Sequence, residues 1–388
     1  MLTIGIGRRT TGAGMRNLSQ WSQLRRAATS GIRAEMYETA CNDPHFNLAT
    51  EETMFKEYIE SGERSKREGR LGEDRAVTLY LWRNKPTVVI GAHQNAYREC
   101  ALKKMEADGV VLSRRRTGGG AVYHDLGNTN FTLLSRPRAP DEIERNMRVV
   151  TRALSHFGVE AKVSGRNDIT VNGRKVSGCA FRKTGVATLQ HGTLLLNADM
   201  TALARYLTPS KLKLQSKGVK SVKSRVANLQ DLCPGINHRS VCAALAEEFQ
   251  KEFLGRGMGL EVKMLGMDEL RRNDTLLGLY KELHSWEWRY GTDPEWSLRF
   301  EAKRDWGMVD VRFDVRHGVV ARAALYSDTL IPQVVDVAEA ALKGVPYRGD
   351  AVVAALRAAG EKSFQDGNPE AQRQVNDLGA WLSTLIAK

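Results

Sequence analysis

RRRTGGGAVYHDLGNTN, residues 114–130, is the stretch from which the rest of the chain is read. Three consecutive glycines, Gly118, Gly119 and Gly120, free the backbone to approach a ligand and to adopt conformations that a Cβ forbids. Backbone N–H groups in such a loop can cradle phosphate oxygens. Arg114, Arg115 and Arg116 set fixed positive charge and forked donors beside it. No Gly-Lys-Ser/Thr follows, so this is not a P-loop, and without G-x-G-x-x-G it is not a dinucleotide fingerprint. Taken alone, a basic glycine turn is more often a plain loop. Here Val122, Tyr123, His124, Asp125, Gly127, Asn128 and Asn130 crowd polar and aromatic groups into the same short stretch, which favours an anion site.

Outward from this loop the chain reads as mixed α and β. Upstream, Phe46–Glu60 has apolar residues at helical spacing with Asn47 as its expected cap, and Glu60–Arg75, nearly all charge and glycine, reads as a solvated loop. Val77–Trp82 and Thr87–Gly91 alternate around the turn Arg83-Asn84-Lys85-Pro86 and predict a hairpin. Lys103–Ala107 is a short helical piece, and Val110–Leu112 leads into the glycines. Downstream, Asn130–Leu134 is a strand, and Asp141–Gly158 is a helix with an Asp start and a Gly stop. Ile169–Val171 and Lys175–Ser177 flank Asn172-Gly173 and predict a hairpin with a type I′ turn. His191–Asn197 is a strand and Val241–Leu254 a helix. Glycines then interrupt the pattern across residues 256–275, where a domain boundary is expected. Beyond it, Val309–Val315 and Val319–Leu325 flank His317-Gly318 as a hairpin, followed by helices near Ile331–Lys343 and Ala351–Lys362 and at the C-terminus.

A length of 388 residues fits about two domains, and 42% hydrophobic residues suffice for both cores. No apolar run approaches the ~20 residues of a membrane helix, so no membrane association is expected. The net charge of +13 points by reflex to nucleic acid, but much of it is local. Residues 1–34 hold Arg8, Arg9, Arg16, Arg25, Arg26 and Arg33 and no acid; without them the charge is +7. With its Gly, Ser and Thr content and a basic amphipathic stretch at Met15–Ala28, this segment reads as a mitochondrial transit peptide over residues 1–33, and hence a matrix protein. Basic patches interleaved with aromatic stacking platforms are not evident, so nucleic acid is not expected as a partner. Cys41, Cys100, Cys179, Cys233 and Cys242 include no C-x-x-C pair and read as reduced thiols.

Three further segments complete the pattern: Ser164–Lys183 (SGRNDITVNGRKVSGCAFRK), His191–Asn197 (HGTLLLN) and Ser221–Leu229 (SVKSRVANL). With the loop, Leu81-Trp82-Arg83-Asn84 and Ser285–Gly291 (SWEWRYG), they resemble, in order from about Asp43 to about Leu382, the family of lipoate-protein ligase A and mitochondrial lipoyltransferase. The resemblance implies an α+β fold: a large mixed-sheet catalytic domain of the biotin/lipoate ligase type, residues 34–262, and a smaller α+β accessory domain, residues 268–388. It implies that ATP and Mg²⁺ activate lipoate to lipoyl-AMP, and that the lipoyl group passes to a lysine of an acceptor. The acceptors implied are lipoyl domains of 2-oxoacid dehydrogenase complexes and the glycine cleavage H protein, and the enzyme is expected to act as a monomer.

By the same resemblance, Lys175 matches the family's key lysine. A fixed ammonium suits the negative charge that builds on a pentavalent phosphate and on a carbonyl oxyanion. Arg115 matches an ATP-contacting arginine and Arg114 shares that role, whereas Arg116 stands where the bacterial form has a small polar residue. Gly118, Gly119, Gly120, Ala121, Val122, Tyr123 and Asn128 match the adenylate-contacting stretch. Arg166, Asn167 and Asp168 follow in the G-R-N-D pattern, with Asp168 a candidate for Mg²⁺ or for capping its turn. His191 and Thr193 match positions lining the site, and Ser221 opens a loop over the nucleotide. Trp82, Tyr123 and Gly119 are expected along the channel for lipoate's apolar arm. His124 reads as a structural hydrogen-bonder. Three alternatives stay open: transfer from preformed lipoyl-AMP only, an octanoyltransferase with a thioester on Cys179, and, with weaker support, a biotin ligase.

Overall fold

Along the strand Arg75–Trp82, Val77, Leu79 and Leu81 enter one hydrophobic core, while Ala76, Tyr80 and Trp82 enter another on the opposite face. Such alternation with both faces apolar is what a strand buried between two helical layers requires. The computed structural model describes residues 32–386 apart from 72, 74, 95, 138–141, 166, 208–225, 256–258, 290–297, 317 and 366. The expected transit peptide over 1–33 therefore lies almost wholly outside the described residues.

The elements run β1 (Ile32–Thr39), α1 (Pro44–Arg67), β2 (Arg75–Trp82), β3 (Thr87–Ile90), α2 (Ala96–Glu99), α3 (Leu102–Ala107), β4 (Val111–Arg114), β5 (Val122–His124) and β6 (Asn128–Ser135). There follow α4 (Glu142–Ser155), β7 (Lys162–Ser164), β8 (Asp168–Val171), β9 (Arg174–Lys183), β10 (Thr188–Leu195), α5 (Met200–Tyr206), α6 (His238–Phe253), β11 (Val262–Leu265), α7 (Asp274–His284) and α8 (Trp286–Arg289). The C-terminal part comprises β12 (Leu298–Arg304), β13 (Gly307–Arg316), β14 (Val319–Ser327), α9 (Gln333–Leu342), α10 (Gly349–Ser363) and α11 (Pro369–Leu385).

Eight strands form a mixed sheet in the order β11-β1-β2-β6-β10-β9-β8-β7, parallel where β1 meets β11 and β2, antiparallel elsewhere. Helices α4 and α6 cover one face through Met147, Val150, Leu245 and Phe249, and α1 and α7 cover the other through Phe46, Phe55, Leu276 and Leu279. A small sheet, β4-β3-β5, stands beside it over its own core of Val88, Ile90, Leu112 and Tyr123. In the C-terminal part the meander β12-β13-β14 packs against α9, α10 and α11 around Trp306, Phe313 and Leu356.

Several expectations change. Helix α1 starts earlier and runs longer: Asp43 caps it, its carboxylate accepting from the amides of His45 and Phe46, with Pro44 in the first turn. Asn47 is instead buried, donating to Asn84 Oδ1 and to the carbonyls of Cys41 and Arg83. The charged stretch after Glu60 stays helical to Arg67, its basic last turn complementing the helix dipole. The hairpin of Val77–Trp82 with Thr87–Gly91 does not form: both edges of β2 are taken, by β1 and β6, and β3 pairs with β4 and β5. Position 141, the expected helix start, lies outside the described residues.

The boundary expected within 256–275, with domains meeting at 262–268, falls inside the larger body. Strand β11 is the edge of the eight-stranded sheet, and Leu276, Leu279 and Leu283 of α7 pack beneath α1. The strands of the smaller body begin with β12 at Leu298. The hairpins around Asn172-Gly173 and Gly318 form as the sequence predicts, with φ of 51°, 73° and 74° at those three residues.

Candidate functional site

Between the large and small sheets lies a cavity of about 170 Å³. Its floor is Trp82, Asn130, Lys175, Gly178, Cys179, Ala180, His191, Gly192 and Thr193, from β2, β6, β9 and β10. Its roof is Val89, Arg115, Gly119, Gly120, Ala121, Val122 and His124, and Leu48 of α1 and Asn167 close the ends. The structure thus gathers most of the residues that the sequence singles out. A larger hollow of about 410 Å³ lies among Asp43, Lys85, Met105 and Arg289, and contains none of them.

Lys175 sits just after the Asn172-Gly173 turn, and its ammonium donates to Asp168 Oδ1 across the hairpin at 2.7 Å, both side chains about one-third exposed. Gly178 makes this possible: a Cβ there would stand 2.9 Å from Lys175 Nζ and 3.0 Å from Cε. Gly192 is needed for a similar reason, since a Cβ would meet the Phe131 ring at 2.5 Å and Cys179 Sγ at 2.8 Å. Asn167 lines the cavity but spends its amide on the Cys179 carbonyl, at 2.6 Å. Thr193 Oγ1 accepts from the Gly178 amide at 3.2 Å.

The arginines are placed differently from expectation. Arg114 donates to the carbonyls of Gly91, Ala92, Gln94, Trp288 and Arg289. Arg115 donates to Thr117 Oγ1 and to the carbonyls of Val89, Gly118 and Gly120. Both are buried, and burial lowers both guanidinium pKa values to about 10, still protonated at neutral pH. Their forks are spent on main chain: Arg115 shapes the glycine loop from within, and Arg114 ties α8 to β4 and the turn after β3. Arg114 lies outside the cavity lining, whereas Arg115 is part of it. Arg116 faces outward, bonded to Glu282 at 2.7 Å and stacked over Trp288 at 4.8 Å.

Tyr123 and Asn128 are also displaced from the expected lining. On β5 the side chains alternate, so Val122 and His124 face the cavity while Tyr123 packs away from it against Tyr206, ring centroids 5.8 Å apart. The channel reading of Tyr123 is therefore overturned; Trp82 and Gly119 do line the cavity. Asn128 is fully buried and donates to Asn130 Oδ1. Gly118 lies at the domain junction: its Cβ position is 1.9 Å from the Thr329 carbonyl oxygen. The Gly119 amide donates to that same oxygen at 2.8 Å, so segment 327–330 of the C-terminal part lies on the glycine loop. That contact helps explain why the cavity is below the ~300–1,000 Å³ common for ligand sites. Positions 166 and 221 lie outside the described residues.

A polar chain missed from the sequence runs behind the cavity. Trp82 Nε1 donates to Thr132 Oγ1 (3.0 Å), which donates to Glu51 Oε1 (2.6 Å); that carboxylate meets His191 Nδ1 at 2.8 Å, and His191 Nε2 meets Thr117 Oγ1 at 2.8 Å. Glu51 lies 140 positions from His191, so no local spacing reveals it. His124 is held through Nδ1 by Asn84 Nδ2 at 3.1 Å, and its Nε2 has no partner among the described residues. Burial, with Arg115 and His191 nearby, lowers its pKa to about 3, so it is a neutral donor or acceptor. Cys179 is buried against Met147, and burial pushes its thiol up to about 12.

Against this geometry, residues 43–250 match the family described as lipoyl protein ligase A/B catalytic domain, and residues 293–378 match the bacterial lipoate protein ligase C-terminus. The chain is 37% identical to a lipoate-protein ligase A of Psychrobacter cryohalolentis over 90% of its own length and 98% of that protein's. It is 40% identical to one of Bdellovibrio bacteriovorus, over 89% and 96%. Among solved structures, P. falciparum LipL1 in complex with lipoate superposes with a TM-score of 0.76 at 29% identity, covering 91% of this chain and all of that one. A bipartite lipoate protein ligase with its E2 lipoyl domain, from Thermoplasma acidophilum, superposes at 0.54 with 26% identity, over 69% of this chain and all of that one. A lipoate-protein ligase A bound with ATP shares the fold at 0.53 with 24% identity, over 67% and 98%. The mitochondrial matrix placement is corrected by the curated relatives, which are bacterial. Bacteria have no such compartment, and the import reading of residues 1–33 goes with it.

Proposed function

The chain belongs to the lipoate-protein ligase A family, and from that premise we propose how its residues carry the reaction. It is an ATP-dependent enzyme that joins lipoate to protein. The lipoate carboxylate attacks the α-phosphorus of ATP, forming lipoyl-AMP and expelling pyrophosphate. The ε-amine of an acceptor lysine then attacks the acyl carbonyl; AMP leaves, the amine loses a proton, and an amide remains. The observation that carries the site assignment is the Lys175 ammonium, fixed at 2.7 Å by Asp168 at the edge of a cavity roofed by the glycine loop.

In this reading Lys175 stabilises charge on the phosphate oxygens in the first step and on the acyl oxygen in the second, in a site partly screened from water. Its Asp168 partner holds the ammonium in place rather than quenching it, since both groups remain partly solvated. The amides of Gly119 and Gly120 meet the adenylate from the opposite wall, once the Gly119–Thr329 contact has opened. Trp82, Val89 and Leu48 form the apolar end suited to the lipoyl arm. The Glu51–His191–Thr117 chain fixes the floor, and Arg115 fixes the roof. Asp168 is a carboxylate of the kind that shares Mg²⁺ with nucleotide phosphates. When bound there, the ion would neutralise phosphate charge.

The acceptors proposed are lipoyl domains of 2-oxoacid dehydrogenase complexes and the glycine cleavage H protein, acted on by a monomer. The Thermoplasma ligase solved with its E2 lipoyl domain supports the class of acceptor. Chemistry through a Cys179 thioester is not favoured: the thiol is buried and, at about 12, carries almost no thiolate at neutral pH. The test is pyrophosphate release from the purified chain with free lipoate and MgATP, followed by the mass of a lipoyl domain added afterwards. Release and a lipoylated domain are expected. Transfer from supplied lipoyl-AMP without any release would reduce the enzyme to a transferase.

A further inference from the structure

Outside the lining of the adenylate cavity, β1, β6 and α6 meet at a cluster that ligase chemistry leaves unused. His238 and Cys242 are four apart on α6, so they share one helix face. Glu38, near the end of β1, reaches the same point. His238 Nε2 lies 3.7 Å from both Cys242 Sγ and Glu38 Oε1, Sγ is also 3.6 Å from Nδ1 and so lies beside the ring, and all three ligand atoms fall within 4.8 Å of one another. The other ring nitrogen, Nδ1, is 2.9 Å from Thr129 Oγ1 on β6.

From this juxtaposition we propose a site for a borderline divalent transition-metal ion, Zn²⁺ foremost, with Glu38, His238 and Cys242 as protein ligands. The donor set selects the ion. A thiolate with an imidazole suits Zn²⁺, whereas the hard ions Mg²⁺ and Ca²⁺ take oxygen. Zn–S of ~2.3 Å with Zn–N and Zn–O of ~2.0–2.2 Å gives tetrahedral ligand edges of about 3.3–3.6 Å. The Nε2–Oε1 separation of 3.7 Å is within a few tenths of that, while Cys242 Sγ, which lies beside the ring, must swing toward the Nε2 lone pair. The third edge closes by rotation of Glu38, whose side chain is 29% exposed.

Thr129 plays the part that outer hydroxyls and carbonyls play around metal-bound histidines. With Nδ1–H donating to its Oγ1, the ring is locked and Nε2 turns its lone pair to the ion. Binding displaces the thiol proton of Cys242 to solvent as the S–Zn bond forms. Water completes the fourth position. The ion then clamps α6 to β1 on the face away from α1.

The test uses the full chain without a histidine tag, reduced and stripped of metal. Equilibrium dialysis against Zn²⁺, and Co²⁺ substitution read by its thiolate charge-transfer absorption, should give one ion per chain with the thiolate band. Cys242→Ala should abolish the band and weaken Zn²⁺ more than about 100-fold, and Thr129→Val should weaken it about 10-fold. Cys233→Ala should change neither. Should Cys242→Ala fail to fold, Glu38→Gln, at the open rim, must still weaken Zn²⁺ at least tenfold with the band retained. No stoichiometric binding, or affinity unchanged in Cys242→Ala and His238→Ala or in Glu38→Gln, overturns the site.

Discussion

Gly178→Ala tests whether the position of the Lys175 ammonium, rather than its mere presence, drives catalysis. The added methyl would stand 2.9 Å from Nζ and 3.0 Å from Cε, with Asp168 Oδ1 next at 3.9 Å. An ordinary contact needs ~3.5–4.0 Å, so the lysine tip must retreat by about 0.5–1 Å. Gly178 has no positive φ, so the backbone accepts alanine without strain. The obstacle is the far end of a flexible side chain, so the fold should be almost untouched. A misplacement of ~1 Å at a reacting centre costs up to about 10²-fold. Pyrophosphate release with lipoate and MgATP should therefore fall about 10- to 100-fold, or ~1.4–2.7 kcal/mol in barrier, while the melting temperature moves by only a few degrees. Gly178→Ser should do the same. Full activity in a folded Gly178→Ala enzyme would refute the reasoning, as would activity lost only in step with unfolding.

Arg115→Ala strands two buried carbonyls and a half-buried one and should lower stability by about 2 kcal/mol, seen in a urea titration, besides impairing ATP use. A purely nucleotide-contacting arginine would raise KM for ATP and leave stability alone. Cys179→Ala should keep most ligase activity, losing about 1 kcal/mol of stability to the small cavity it leaves; loss of transfer from lipoyl-AMP in a folded variant would revive thioester chemistry. His124, lowered to about 3 by burial, favours the folded state fully above its unfolded value near 6.5, and that stability is lost as pH falls from there toward 3. The slope is ~1.4 kcal/mol per pH unit per proton. Urea midpoints between pH 7 and 5 should fall less steeply in His124→Gln, by about one proton, and an unchanged slope would contradict the buried neutral imidazole.

Periodicity carried the helical part of the fold well: α1, α6 and the three C-terminal helices all stand near their predicted places. It failed where the answer depended on which edge of a strand was free. Val77–Trp82 and Thr87–Gly91 look like two arms of a hairpin, and only the tertiary pairing of β2 with β1 and β6 separates them. The boundary near residue 262 failed for the same reason, since β11 is short and its partner lies more than 200 positions earlier. Within the site, resemblance singles out Lys175, and the hairpin that carries it is legible because the Asn172-Gly173 turn fixes the backbone locally. The targets of Arg114 and Arg115 were not: a guanidinium fork suits carbonyls and phosphates alike, and burial decides between them. Tyr123 was misread because neighbours on a strand face opposite ways. Glu51, Thr132 and Glu38 escaped notice because each works with a partner remote in sequence.

The central claim is that one ammonium serves both half-reactions. The direct measurement is single-turnover kinetics of Lys175→Ala beside the unaltered enzyme: pyrophosphate release from lipoate and MgATP, and separately transfer of lipoyl from supplied lipoyl-AMP to a lipoyl domain. Both rates should fall by about 10²–10³-fold, the scale for losing one oxyanion-stabilising group. Normal rates in either half-reaction from a folded Lys175→Ala enzyme would contradict the account.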